Sequence, residues 1–129
     1  MNDFEMYKMI LEIISDKNPK DLQALLDESQ HYQNVKDYIA SDEPNSFLIQ
    51  NIQDMTFNMI NDGLISAVVS PLKYVTLIKF NGLTVLGSQY LKKLKEQDTK
   101  KQIETILDQE GHVMSAKNLT EVLSKLIFS

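Results

Sequence analysis

The chain has no cysteine, no tryptophan and no arginine, and its 129 residues include only four glycines and three prolines. Without cysteine there is neither a disulfide framework nor a thiolate metal site, so packing alone must stabilise the fold. Scarce Gly and Pro leave little material for linkers or low-complexity tracts, and there is no internal repeat with a period of roughly 20 to 50 residues. No apolar run reaches the roughly 18 to 20 residues of a membrane span. The opening MNDFEMYKMI places acids where a targeting segment would carry bases. These absences predict a cytoplasmic protein with no membrane partner.

Catalytic parts are missing as well. There is no Gly-rich phosphate loop, no Gly-x-Ser-x-Gly and no His-Glu-x-x-His, and the only histidines are His31 and His112. Neighbouring acids at Asp27-Glu28 and Asp42-Glu43 point in different directions, which does not make an acid/base pair. The expectation is a non-enzyme with no cofactor, no metal and no small-molecule substrate. All 13 basic residues are lysine, so the planar fork that reads guanine edges and clamps phosphates is absent.

What is present is a core and an uneven charge. The hydrophobic fraction is 43%, enough for one compact domain of this length. The net charge of -5 divides into -8 over residues 1–62, +5 over 63–101 and -2 over the remainder. The middle of the chain is thus its basic part, able to orient the molecule on a polyanion.

Apolar periodicity predicts the elements. Phe4, Tyr7, Ile10, Leu11 and Ile14 form one stripe of an amphipathic helix over 3–15. Asn18-Pro19-Lys20-Asp21 supplies an N-cap, a first-turn proline and an acid for a second helix carrying Leu22, Leu25 and Leu26. Residues 29–45 read as a short helix and a loop broken at Pro44. Leu48, Ile52, Met55, Met59 and Ile60 define a helix over 46–62, ended by Gly63. Runs at 64–69 and 74–80 are β-rich and joined through Ser70-Pro71-Leu72-Lys73, a hairpin. Thr84 caps the next helix, in which Gly87 permits close packing of the first turn, and which ends near Gln97. Thr99 with Gln102 makes a capping box, Gly111 a terminator, and Ser115 the cap of a last helix with Leu119, Val122, Leu126 and Ile127. The principal order is helix, helix, helix, strand, strand, helix, helix, helix.

That order resembles a winged helix-turn-helix: an α+β, mainly α fold with a two-stranded wing, here with appended C-terminal helices. Two stretches narrow the likeness. Ile60-Asn61-Asp62-Gly63-Leu64-Ile65 and Leu83-Thr84 followed by Gly87 and Tyr90-Leu91 resemble the helix end and the helix start of the YjcQ-like family, small proteins of Gram-positive bacteria and their prophages. The resemblance covers 55–98 and, loosely, the first helix. It implies a winged-helix domain over 1–98, in which 16–45 is an insertion relative to the family, and a C-terminal extension of the same domain over 99–129. In the motif, Gly63 and Thr84 end and begin helices, and Tyr90-Leu91 are expected beneath the sheet.

A DNA-binding winged helix lays the helix before the wing in the major groove. With Ile52 at the centre of the buried face, Gln50, Asp54, Phe57, Asn58 and Asn61 point outward, with Phe47 nearby. Gln50, Asn58 and Asn61 can bond adenine edges, and Lys73 and Lys79 on the hairpin can meet phosphates. These five residues are the candidate DNA contacts of a DNA-binding regulator or accessory factor. Asp54 and the lack of lysine over 46–62 oppose that role, since phosphate contacts supply most of the affinity. The alternative is a protein-interaction module that has lost DNA binding, with Phe47 and Phe57 as aromatic anchors unless 16–45 covers them. Lys92, Lys93 and Lys95, with Lys100 and Lys101, form the densest basic cluster, which a helix C-terminus favours without any ligand. Leu119, Val122, Leu126 and Ile127 are candidates for a homodimer seam, or else they fold onto their own core.

Overall fold

In the computed structural model, which describes residues 1–128, α1 (Asp3–Lys17) is the helix around which the others gather. Its apolar residues are not confined to one stripe: Met6, Met9 and Ile13 are as buried as Tyr7, Ile10 and Leu11. A helix buried on nearly all sides must have neighbours on all sides, and α1 touches α2 (Leu22–Ser29), α4 (Asn45–Asn61), β2 (Thr76–Leu83), α5 (Val85–Leu94) and α7 (Ala116–Phe128). The Tyr7 hydroxyl, inside this packing, lies 2.8 Å from Thr120 Oγ1, and burial pushes its phenol well above the usual range.

The connection after α1 differs from the sequence expectation. Asn18 ends α1 in the left-handed region, φ 46°, a conformation asparagine tolerates better than most residues. The cap of α2 is Asp21, whose carboxylate accepts from Ala24 N at 2.8 Å. Between them, Lys20 and Asp21 run beside β2: Phe80 N donates to the Lys20 carbonyl at 3.0 Å, and Asp21 bridges Lys79. Residues 33–40 form a two-turn helix, α3 (Gln33–Ala40), the short helix expected within 29–45, so four helices precede the hairpin. Leu48, Ile52, Met55 and Met59 line the buried face of α4 as expected. Thr56 joins them by donating its hydroxyl to the Ile52 carbonyl at 2.7 Å. Gly63, at φ 78°, then turns the chain into the hairpin.

β1 (Ile65–Pro71) pairs antiparallel with β2, with Ala67 opposite Phe80, Val69 opposite Ile78 and Pro71 opposite Thr76. Ser70 and Pro71 are therefore strand, and the turn lies two residues later than the sequence suggests, where Leu72 N donates to the Val75 carbonyl at 2.8 Å. Proline is tolerated there because an edge strand needs no donor on its open side. A bulge near Ser66/Ala67 leaves Asn81 as the extra residue opposite them.

Thr84 clips the hairpin to α5. Its hydroxyl donates to the Gly63 carbonyl at 2.6 Å and accepts from Gly87 N at 2.9 Å, while its own N–H bonds the Leu64 carbonyl at 3.0 Å. Gly87 sits so close to Leu64 that an added Cβ would run into the Leu64 carbonyl. α5 lies against α1, α7 and β2, and the hydroxyl of the buried Tyr90 is 3.5 Å from the Thr120 carbonyl.

The capping box expected at Thr99 does not form. Thr99 is the first residue of α6 (Thr99–Glu110), is buried, and donates its hydroxyl to the Lys93 carbonyl at 2.6 Å. Gly111, at φ 70°, ends α6, and Ser115 Oγ accepts from Asn118 N at the head of α7. Leu119 and Val122, candidates for a dimer seam, are 0% and 2% exposed in the same core as α1, and Leu126 and Ile127 pack against it. The fold is thus α+β and mainly α, with one two-stranded sheet among the described residues. No helix among them is long and apolar enough to cross a membrane.

Candidate recognition surface

Two neighbouring elements carry the candidate residues, α4 and the hairpin after it. On α4, Gln50, Asp54, Asn58 and Asn61 are exposed, as helical spacing from Ile52 requires. The Gln50 amide donates to the Asp54 carboxylate at 2.8 Å, one turn on, so the side chain best shaped for an adenine edge is engaged within the helix. The helix holds Asp54 and no lysine, which leaves its outward face without a cation.

The aromatics separate. Phe47 stands 59% exposed, whereas Phe57 is half-buried against the core. The segment 16–45 supplies α2 and α3, which pack on a different part of α4. Leu26, Val35 and Ile39 meet Leu48, Ile49 and Ile52 in a shallow groove. This segment therefore covers the Leu48–Ile52 side and leaves Phe47 open.

Along the hairpin, opposed residues share a face and successive ones alternate. Ile78 and Phe80 point to the core, while Val68, Lys79, Ser70 and Leu77 share the opposite face. Lys20 adjoins Val68, Leu77 and Lys79 there in an open groove. Beyond the last core contact, Leu72, Tyr74, Val75 and Leu77 are all more than half exposed, Tyr74 at 88%. The Lys73 ammonium lies 5.3 Å from the Tyr74 ring centroid, within cation–π range. Sequence reasoning missed these apolar residues. The available signal was Tyr74, Val75, Leu77 and Ile78, apolar side chains at both strand parities where a hairpin with one covered face can bury only one.

Two of the five lysines in the densest basic cluster are engaged within the molecule. Lys93 pairs with Glu96 at 2.9 Å, and Lys100 lies 3.8 Å from Glu5 and 5.7 Å from the Phe4 ring centroid. Lys92, Lys95 and Lys101 remain exposed. Both histidines are exposed, His112 within 3.7 Å of Glu110. Among the described residues no group of three or more acids and histidines converges as a metal site. Compared with models of known families, with characterised proteins and with solved structures, the chain gives no match.

Proposed function

We propose that this chain is a non-catalytic winged-helix protein of the YjcQ-like kind whose α4 and hairpin dock a protein partner. The run at 20–21 beside β2, the helix α4 leading into the hairpin, and the two-stranded wing itself all support the winged-helix reading. The observation that carries the partner class is the distal hairpin: Leu72, Tyr74, Val75 and Leu77 exposed together. Contiguous apolar exposure of this kind marks interaction sites. Aromatic side chains such as Tyr74 and Phe47 are the usual anchors of protein interfaces. Polar Asn58 and Asn61 and the Gln50–Asp54 pair then serve as rim.

A second reading, a DNA-binding regulator or accessory factor, is favoured by the lysines. Residues 63–95 contain no acid, and Lys20, Lys73 and Lys79 are exposed on or beside the hairpin, in position for flanking phosphates, with Asn58 and Asn61 free for base edges. The two readings separate by titration of the protein against a labelled random-sequence duplex at low and at near-physiological salt. A protein module gives no binding at low salt and loses a co-purifying partner on Phe47→Ala. Duplex binding that weakens steeply with salt and on Lys73→Glu would replace it with the DNA reading.

A further inference from the structure

The two long edges of the hairpin are treated differently. The outer edge of β2 is closed in part by Lys20 and Asp21, through the Phe80 N to Lys20 carbonyl bond. The outer edge of β1 has no such neighbour among the described residues, since β2 is its one strand partner and no backbone bond leaves 66–70 except to β2. Alternate residues of an edge strand direct their N–H and C=O groups outward, a template for another strand. Proteins usually guard such an edge with a charge, a bulge or a proline. Here the one guard in the strand is the proline at 71, since the extra residue of the bulge, Asn81, belongs to β2, and β1 carries no charge.

We infer that the open edge of β1 takes the β1 strand of a second copy of this chain, joining two hairpins into one continuous antiparallel sheet about a two-fold axis at Val68. The occupant follows from the strand itself. In a two-fold antiparallel pair, residues equidistant from the axis face each other. Ser66-Ala67-Val68-Val69-Ser70 is close to palindromic in chemistry. Ser66 meets Ser70, Ala67 meets Val69, and Val68 meets its own counterpart. Hydroxyl pairs and β-branched pairs are the favourable cross-strand combinations, and like charges opposite one another are the penalised one. None occurs here.

The nearest basic side chains stay apart as well. In the strand order β2, β1, then β1 and β2 of the second copy, the two Lys79 residues are three strand spacings apart, about 14 Å, beyond the screening length of about 8 Å at physiological salt. Val68 is 55% and Val69 38% exposed in the single chain, so the pairing also covers apolar surface. The inference is independent of the proposed function, because it leaves Phe47 and the turn Leu72–Val75 uncovered for another partner.

Sedimentation velocity on a dilution series of the full chain tests it. The wild type sediments as a dimer at high micromolar concentration and dissociates on dilution, with no weakening as salt rises. Val68→Lys puts two ammonium groups at the axis and weakens the dimer at least tenfold, while Tyr74→Ser, in the turn, leaves it unchanged. In the wild type, amide exchange over 66–70 slows as protein concentration rises, which checks the pairing without any variant. A wild type that stays monomeric, a Val68→Lys dimer as tight as the wild type, or exchange over 66–70 that ignores concentration would each overturn the inference.

Discussion

The two ends of the hairpin have similar composition and opposite fates. At its base, Leu64, Ile65, Ile78 and Phe80 are buried; at its tip, Leu72, Tyr74 and Val75 are exposed. Neither end contains an acid, and both are rich in apolar side chains. The difference lies in what is underneath. The base is clamped between α4 and the start of α5 through Thr84 and Gly87, and Lys20 and Asp21 close one of its edges. The strands then run out beyond the helices. Hydrophobicity is thus a necessary condition for burial here and topology the deciding one, so the base serves stability and the tip is free to serve recognition.

The comparison breaks most directly at Gly87. A methyl group there meets the Leu64 carbonyl, which already accepts the Thr84 N–H, so relief of the clash loosens the clip as well as the packing. Gly87→Ala should cost about 4 kcal/mol or more, above the usual overpacking range and a large share of a small domain's stability. Urea unfolding monitored by far-ultraviolet circular dichroism reads it. Next is Ile78→Ala, which leaves a cavity beneath the sheet and should cost about 3 kcal/mol. The same truncation one residue earlier, Leu77→Ala, should cost under about 0.5 kcal/mol. Equal losses at 77 and 78 would contradict the assignment of faces. Thr84→Val removes the cap of α5 and the bond to Gly63, for about 2 kcal/mol.

Such local devices are also what a sequence states most clearly. Gly63, Thr84, Gly87 and Gly111 were legible because each answers a local demand: a left-handed turn, a cap or a close approach. The buried face of α4 was legible from period alone. The faults arose where a distant partner decides. Asn18 reads equally well as the cap of the next helix until Pro19 and the strand-like run at 20–21 fix it as the end of α1. Thr99 reads as a capping residue until the Lys93 carbonyl claims its hydroxyl. Leu119 and Val122 make a reasonable dimer seam until α1 and α4 are found packed against α7. On the candidate surface, the exposure of Phe47, Asn58 and Asn61 followed from helical phase. The apolar tip did not, since no local pattern states how far a strand extends past its supporting helices.

The smallest predicted effect on stability sharpens the comparison furthest. Replacing Leu72 and Tyr74 by serine removes two side chains that are 55% and 88% exposed and contribute little burial to the folded state, so the midpoint of unfolding should move by less than about 0.5 kcal/mol equivalent. Loss of the Lys73 contact to the Tyr74 ring stays within that bound, because a cation–π pair this open to solvent stands at the low end of the range, about 0.5 kcal/mol. Binding should respond in the opposite proportion. If the tip anchors a protein partner, the double variant loses most of the complex while remaining as stable as the wild type. A stable variant that retains its partner would move the anchor to Phe47 and the face of α4. A destabilised one would show that the tip packs in solution, and would remove the contrast between the two ends of the hairpin.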